Sequence, residues 1–287
     1  MILNETAQLS NGVKIPKLGF GTWMIEDDQA AAKVREAIKL GYRHIDTAQG
    51  YGNERGVGEG VRTSDVSRDK LFVNTKLEAD LKTYAGAKQA IDDSLTRAGL
   101  DYFDMMIIHS PEPWADFRSG NHYFEGNQEA WRALEEAYQA GKLRAIGVSN
   151  FEKVDLDNLL ENGQVAPMVD QVLAHIGNTP FDLIDYAQSK GILVEAYSPV
   201  AHGAMMKSIE ITRMAKKYQV SVPQLAIKYA LQLGLVPLPK ASSVAHMQNN
   251  ADLAFEISAV DMTTLEAVKM ADYGNDSAFP VYSGHQD

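Results

Sequence analysis

The 287-residue chain is 45% hydrophobic and 23% charged, an ordinary globular balance with enough apolar material for a large core. A formal net charge of −11 and a pI near 5.1, with no dense Lys/Arg cluster, argue against nucleic-acid partners. The absence of cysteine excludes disulfides, thiolate metal sites, iron–sulfur clusters and Cys nucleophiles, and no metal is expected.

The opening segment MILNETAQLS has neither the basic region nor the apolar region of a secretory signal, and no apolar run reaches membrane-spanning length. A cytoplasmic protein with no membrane contact is therefore expected. Asn11-Gly12, between short extended runs, reads as a hairpin turn. Strand candidates follow at Lys17–Trp23, Arg43–Ala48, Leu71–Leu77, Tyr102–His109, Arg144–Asn150, Pro167–Ala174, Ile192–Pro199 and Leu235–Lys240. Helical stripes lie between them: Val34, Ala37 and Ile38 before Gly41, Ala87 to Ala98 before Gly99, and Trp131, Leu134 and Tyr138 before Gly141. Strands alternating with helices give parallel pairing through crossovers. Eight such units over residues 1–287 predict one α/β domain, a (β/α)8 TIM barrel, with the N-terminal β-hairpin plugging its bottom.

Most of these apolar strands end in a polar residue: Asp46, Lys76, His109, Asn150, Gln171, Tyr197 and Lys240. Strand ends are often polar because loops begin there. Seven of them, gathered at the C-terminal mouth of a barrel, point instead to a site.

Asp46, Tyr51, Lys76 and His109 fit the reduction of a carbonyl by hydride, which needs a proton for the developing alkoxide. A Tyr hydroxyl supplies one, although its unperturbed pKa is about 10. The Lys76 ammonium is expected to lower that pKa, Asp46 to hold the lysine charged, and His109 to donate a hydrogen bond to the substrate oxygen. Taken singly, each residue has a plainer reading: an exposed loop aromatic, a structural ion pair, a satisfied core histidine.

GYRHIDTAQGYGNE, over Gly41 to Glu54, resembles the aldo-keto reductase signature, and TKL, IIH, IGVSNF, DQV, AYSP and LPKASS follow in that family's order. The resemblance implies Tyr51 as proton donor, completed by Asp46, Lys76 and His109. It further implies Ser149, Asn150 and Gln171 on the carboxamide of NADPH, or of NADH as the weaker alternative, with Tyr197 stacked on the ring beside Ser198. Lys240, Ser242, His246 and Asn250 would face the adenosine end. A small-molecule carbonyl substrate is implied, and the oligomeric state is not.

A Rossmann fingerprint is missing: Gly19-Phe20-Gly21 is half of one, and Gly56, Gly58 and Gly60 follow no strand, which suits close helix packing. Some positions depart from the family pattern. Ser110 stands where Trp often follows the catalytic His, Asp170 where Asn precedes the Gln, and His246 where Arg holds the 2′-phosphate. The aromatic stretch from Pro111 to Asn127 reads as a substrate loop contributing Trp114, with Trp23 as a second wall or as core packing. The tail from Ser277 to Asp287 is short and reads either as closing over the mouth or as disordered. Two other readings keep the barrel: a Schiff-base aldolase using Lys76, disfavoured by Asp46, and a nicotinamide-nucleotide-binding redox sensor.

Overall fold

A computed structural model describes residues 1–270 and 273–282. Strands β1 (Thr6–Gln8) and β2 (Lys14–Pro16) pair antiparallel through the Asn11-Gly12 turn. They bring Leu9 and Ile15 into the same apolar core as the barrel strands, closing the end at which those strands start.

The barrel strands are β3 (Gly19–Gly21), β4 (His44–Asp46), β5 (Phe72–Leu77), β6 (Met105–Ile108), β7 (Ile146–Ser149), β8 (Val169–Leu173), β9 (Leu193–Tyr197) and β10 (Val236–Leu238). All eight lie inside the ranges expected from sequence and run parallel in chain order. The Gly21 amide donates to Pro239 O at 3.2 Å and draws the first and last strands together. A Cβ on Gly19 would stand 2.3 Å from Leu238 Cδ2, and one on Gly21 2.9 Å from Leu238 O. The half-fingerprint of glycines is therefore what lets the seam of the barrel close.

Helices α1 (Asp27–Lys39), α2 (Glu54–Arg62), α3 (Tyr84–Ala98), α4 (Phe124–Gln139), α5 (Lys153–Asn162) and α6 (Phe181–Ser189) each follow a strand. An additional helix, α7 (Ile209–Lys217), precedes α8 (Val222–Gln232), while α9 (Val244–Ala251) and α10 (Ala259–Glu266) follow β10. Helix α3 ends at Gly99 in the left-handed conformation, φ 62°, whose N–H satisfies Leu95 O and Thr96 O. The glycines of α2 are contact points: a Cβ on Gly56 would lie 2.1 Å from Asp27 O, and one on Gly58 2.0 Å from Ala98 O.

The stretch from Pro111 to Asn127 is not all loop. A 3₁₀ turn covers Trp114–Asp116, and α4 already begins at Phe124. Gly126 hid that start from the sequence. It is glycine because the helix passes against Lys82, whose Cβ would lie 2.7 Å from an added Cβ.

Candidate active site

Side chains on a strand alternate between faces, so residues two apart share one. His44 and Asp46, Asn74 and Lys76, and Glu195 and Tyr197 are such pairs. Register sets Asp46 beside Asn74 and Gln171 beside Glu195. Asp46 Oδ2 accepts from Lys76 Nζ at 2.6 Å. Asp46 Oδ1 accepts from Asn74 Nδ2 at 2.6 Å and Gln171 Nε2 at 3.0 Å. Lys76 Nζ also donates to Thr47 O at 3.0 Å, and the lysine is 1% exposed. Two buried charges persist because nearly every donor and acceptor on them is engaged. Burial alone would push Lys76 down, but Asp46 and then Tyr51 outweigh it and hold the ammonium above its ordinary range.

Tyr51 ends a single 3₁₀ turn, Gln49–Tyr51, just past β4. Lys76 Nζ lies 4.8 Å from the centroid of its ring. The His109 ring stands 5.7 Å away, edge on, and the Trp114 ring a further 5.0 Å beyond His109. Lys76 was expected to bring the phenol below its usual range. The net direction is upward instead: burial raises it, Lys76 pulls against that, and the Asp46 charge adds to the rise. Tyr51 is thus a protonated phenol across the neutral range. Burial first, then Lys76, holds His109 well below the ordinary histidine range, so its ring is neutral, and its buried Nδ1 has no hydrogen-bond partner in the structure.

The opposite wall is made of amides and hydroxyls. Ser149 Oγ donates to Gln171 O at 2.7 Å, and Asn150 Nδ2 donates to His109 O at 3.0 Å. The Tyr197 hydroxyl donates to Asn150 Oδ1 at 2.7 Å, fixing its ring across the mouth. Asn150 and Ser198 take positive φ, 62° and 48°, a conformation that non-glycine residues hold only where their surroundings impose it.

These side chains line one cavity of about 610 Å³, within the range of ligand and cofactor clefts. Asp46, Tyr51 and His109 line it together with Ser149, Asn150, Gln171, Tyr197 and Ser198, and so do Lys240, Ser242, His246 and Asn250. Of the residues the sequence assigned to catalysis, cofactor or substrate, Lys76 alone does not line it; its ammonium lies 4.8 Å from the centroid of the Tyr51 ring. Trp114 and Trp23 both face the cavity. Trp23 both lines the cavity and packs against a hydrophobic cluster, its ring 4.9 Å from His202 and 5.0 Å from Phe279.

Several lining residues escaped the sequence reading. His202 pairs with Asp276 at 3.3 Å and with the Tyr282 hydroxyl at 2.8 Å, and Tyr282 also bonds Ser198. The described part of the tail thus runs along the mouth; residues 283–287 lie outside the described residues. Glu195 and Asn74, wholly buried below the cavity, were also missed. Their signal was parity, since each lies two residues before a named site residue on the same strand.

The cavity suits a nicotinamide dinucleotide. Its lining brings together amide and hydroxyl groups, the aromatic rings of Tyr51, His109 and Tyr197, and the exposed cation Lys240 with Ser242 and His246. Among the described residues no cluster of three or more His, Asp or Glu is placed to hold a metal ion, and no helix is long and apolar enough to cross a membrane.

Residues 17–269 match the Aldo/keto reductase family. The chain is 39% identical over 268 residues to a glyoxal reductase of Bacillus subtilis, covering 93% of each. A solved aldo/keto reductase from Brucella melitensis superposes with a TM-score of 0.84 at 33% identity, covering 91% of this chain and 98% of that one. A Bombyx mori aldo-keto reductase in complex with NADP superposes with a TM-score of 0.83 at 31% identity, covering 98% and 99%. On fold, cavity and sequence together, the chain belongs to the aldo/keto reductase family.

Proposed function

We propose that the protein reduces the carbonyl of a small aldehyde or ketone with a nicotinamide cofactor, NADPH in preference to NADH, and that Tyr51 supplies the proton. The observation that carries this is a protonated phenol held at the inner end of the cavity, over the Lys76 ammonium and beside a neutral imidazole.

When bound, the cofactor supplies the hydride. Ser149, Asn150 and Gln171 would hold its carboxamide, Tyr197 its ring, and Lys240, Ser242, His246 and Asn250 its adenosine end. The substrate oxygen lies between Tyr51 and His109. His109, being neutral, donates a hydrogen bond to that oxygen without delivering a full charge. As negative charge develops there, the Tyr51 O–H proton passes to it. The phenolate left behind is stabilised by Lys76, which Asp46 keeps charged. An acid whose resting pKa is raised by burial but whose conjugate base lies near an ammonium is suited to giving its proton only as the alkoxide forms.

The pairing of Lys76 with Asp46 weighs against a Schiff-base aldolase, since an ammonium held at 2.6 Å from a carboxylate is not a nucleophile. Turnover in Tyr51→Phe is the test of the proton donor. A loss on the order of 10²–10⁴-fold, with cofactor affinity kept, is expected for removal of a positioned acid. A variant that reduces aldehydes at the wild-type rate contradicts the assignment.

A further inference from the structure

Gln171 is held from below by two carboxyl groups. Its Nε2 donates to Asp46 Oδ1 at 3.0 Å and to Glu195 Oε2 at 2.9 Å. An amide nitrogen carries two hydrogens, so both are used inward. The opposite flip would aim the amide oxygen at the Asp46 carboxylate, acceptor against acceptor, and take from Asp46 Oδ1 one of its two donors. Only the Gln171 carbonyl oxygen then remains for the cavity.

Glu195 has no contact with the cavity and is wholly buried. Its charged and titratable neighbours are Asp46, Lys76 and His44, the last with Nε2 at 3.5 Å from Glu195 Oε1. Burial, with Asp46 behind it, raises Glu195 to about 8, and burial lowers His44 to about 4. At neutral pH the side chain is therefore a neutral acid, turned to Gln171 through Oε2 and to His44 through Oε1.

We infer that Glu195 is a positioning residue: it fixes the Gln171 amide so that Gln171 meets the nicotinamide carboxamide as a hydrogen-bond acceptor only. This rests on the proposed contact between Gln171 and the carboxamide. The consequence is selectivity for a cofactor that offers an N–H at that point.

The test compares the dissociation constants of NADP⁺ and its 3-acetylpyridine analogue, which has no N–H to offer, with 2′-phospho-ADP-ribose as a probe of the rest of the site. Wild type should prefer NADP⁺ roughly three- to tenfold, the worth of one hydrogen bond. Glu195→Leu should lose most of that preference, and Glu195→Gln, which keeps an acceptor toward Gln171, should retain it. Affinity for 2′-phospho-ADP-ribose should stay unchanged in both. A full preference in Glu195→Leu overturns the proposal. Gln171→Leu separates the two ideas: a preference that survives there removes the carboxamide contact itself. Should Glu195→Leu fail to fold, the wild-type Gln171 side-chain NH2 resonances decide. Slow exchange and unchanged shifts on adding NADP⁺ support the inward hold, and a shift of both NH2 protons on binding refutes it.

Discussion

The inner end of the cavity and its rim are built differently. Lys76, Asp46, Asn74, Gln171 and Glu195 stand on strands, are buried, and hold one another through hydrogen bonds of 2.6–3.0 Å. Trp23, Trp114 and Phe279 stand on loops and the tail, are partly exposed, and meet their neighbours through ring edges about 5.0 Å apart between centroids. A bonded, buried array has one arrangement, and altering any member leaves another unpaired. Ring edges on loops re-pack at little cost. The difference teaches what each region can tolerate: on the proposed function, the reaction type would rest on the buried array and the choice of substrate on the rim.

The comparison breaks most sharply at Lys76. Lys76→Met keeps length and leaves Asp46 as a buried, uncompensated charge, so the fold should lose about 3–5 kcal/mol, the cost of removing one partner of a buried pair. Turnover should also fall, on the order of 10²-fold or more, with the basic limb of the pH–rate profile displaced. Denaturant unfolding and steady-state kinetics read the two effects. Near-wild-type stability would mean that Asp46 is not dependent on its lysine.

Trp114→Ala tests the rim. The ranking of carbonyl substrates should change by about tenfold for bulky against small ones, the scale of a few methylene-sized contacts, while cofactor affinity and stability hold. A weakened cofactor with an unchanged ranking would place Trp114 elsewhere in the function.

How much of this was legible in the sequence follows the same division. All eight barrel strands could be read, because each is a short apolar run and seven of the eight carry a polar residue toward their end. Asp46, Tyr51, Lys76 and His109 were legible as a chemical set, and the structure brings them together. The direction of the Tyr51 shift was not: sequence shows a nearby cation but not the burial that outweighs it. Glu195 and Asn74 were hidden because only strand ends were weighed, although alternation already put both on the inner face. The tail's approach to Ser198 and His202 depends on contacts across some 80 residues, which no local pattern encodes.

A third test concerns Asp170, on the outer face of β8 beside Phe151 and Arg118. It is wholly buried, neither oxygen makes a well-formed hydrogen bond, and burial raises it to about 8, more than the Phe151 amide and Arg118 lower it. An acid whose folded pKa is raised keeps a proton that the unfolded chain releases. Its contribution to stability is therefore lost as pH climbs from the ordinary carboxylate range, near 4, through about 8. Asp170→Asn removes that slope. The variant should match wild type near pH 5 and exceed it near pH 8 by about 1–3 kcal/mol, the scale of one unsatisfied buried polar group. Parallel melting curves at the two pH values would show that Asp170 is not held neutral. Turnover should not change.

The smallest effect is expected at the far end of the cavity, where His246 is exposed. A histidine cannot make the two parallel hydrogen bonds that an arginine makes to a phosphate. His246→Arg should tighten NADPH a few-fold, about 0.5–1 kcal/mol for an exposed charge, and leave NADH unchanged. Equal shifts for both cofactors would remove His246 from the 2′-phosphate.

The account stands most directly on one measurement with the wild-type protein: NADPH consumed against alcohol formed over a panel of small aldehydes and ketones, with sodium borohydride trapping in parallel. It predicts one alcohol formed for each NADPH oxidised, and no lysine adduct. Tight NADPH binding without any oxidation would contradict it in favour of a sensor, and a borohydride-trapped adduct at Lys76 would contradict it in favour of an aldolase.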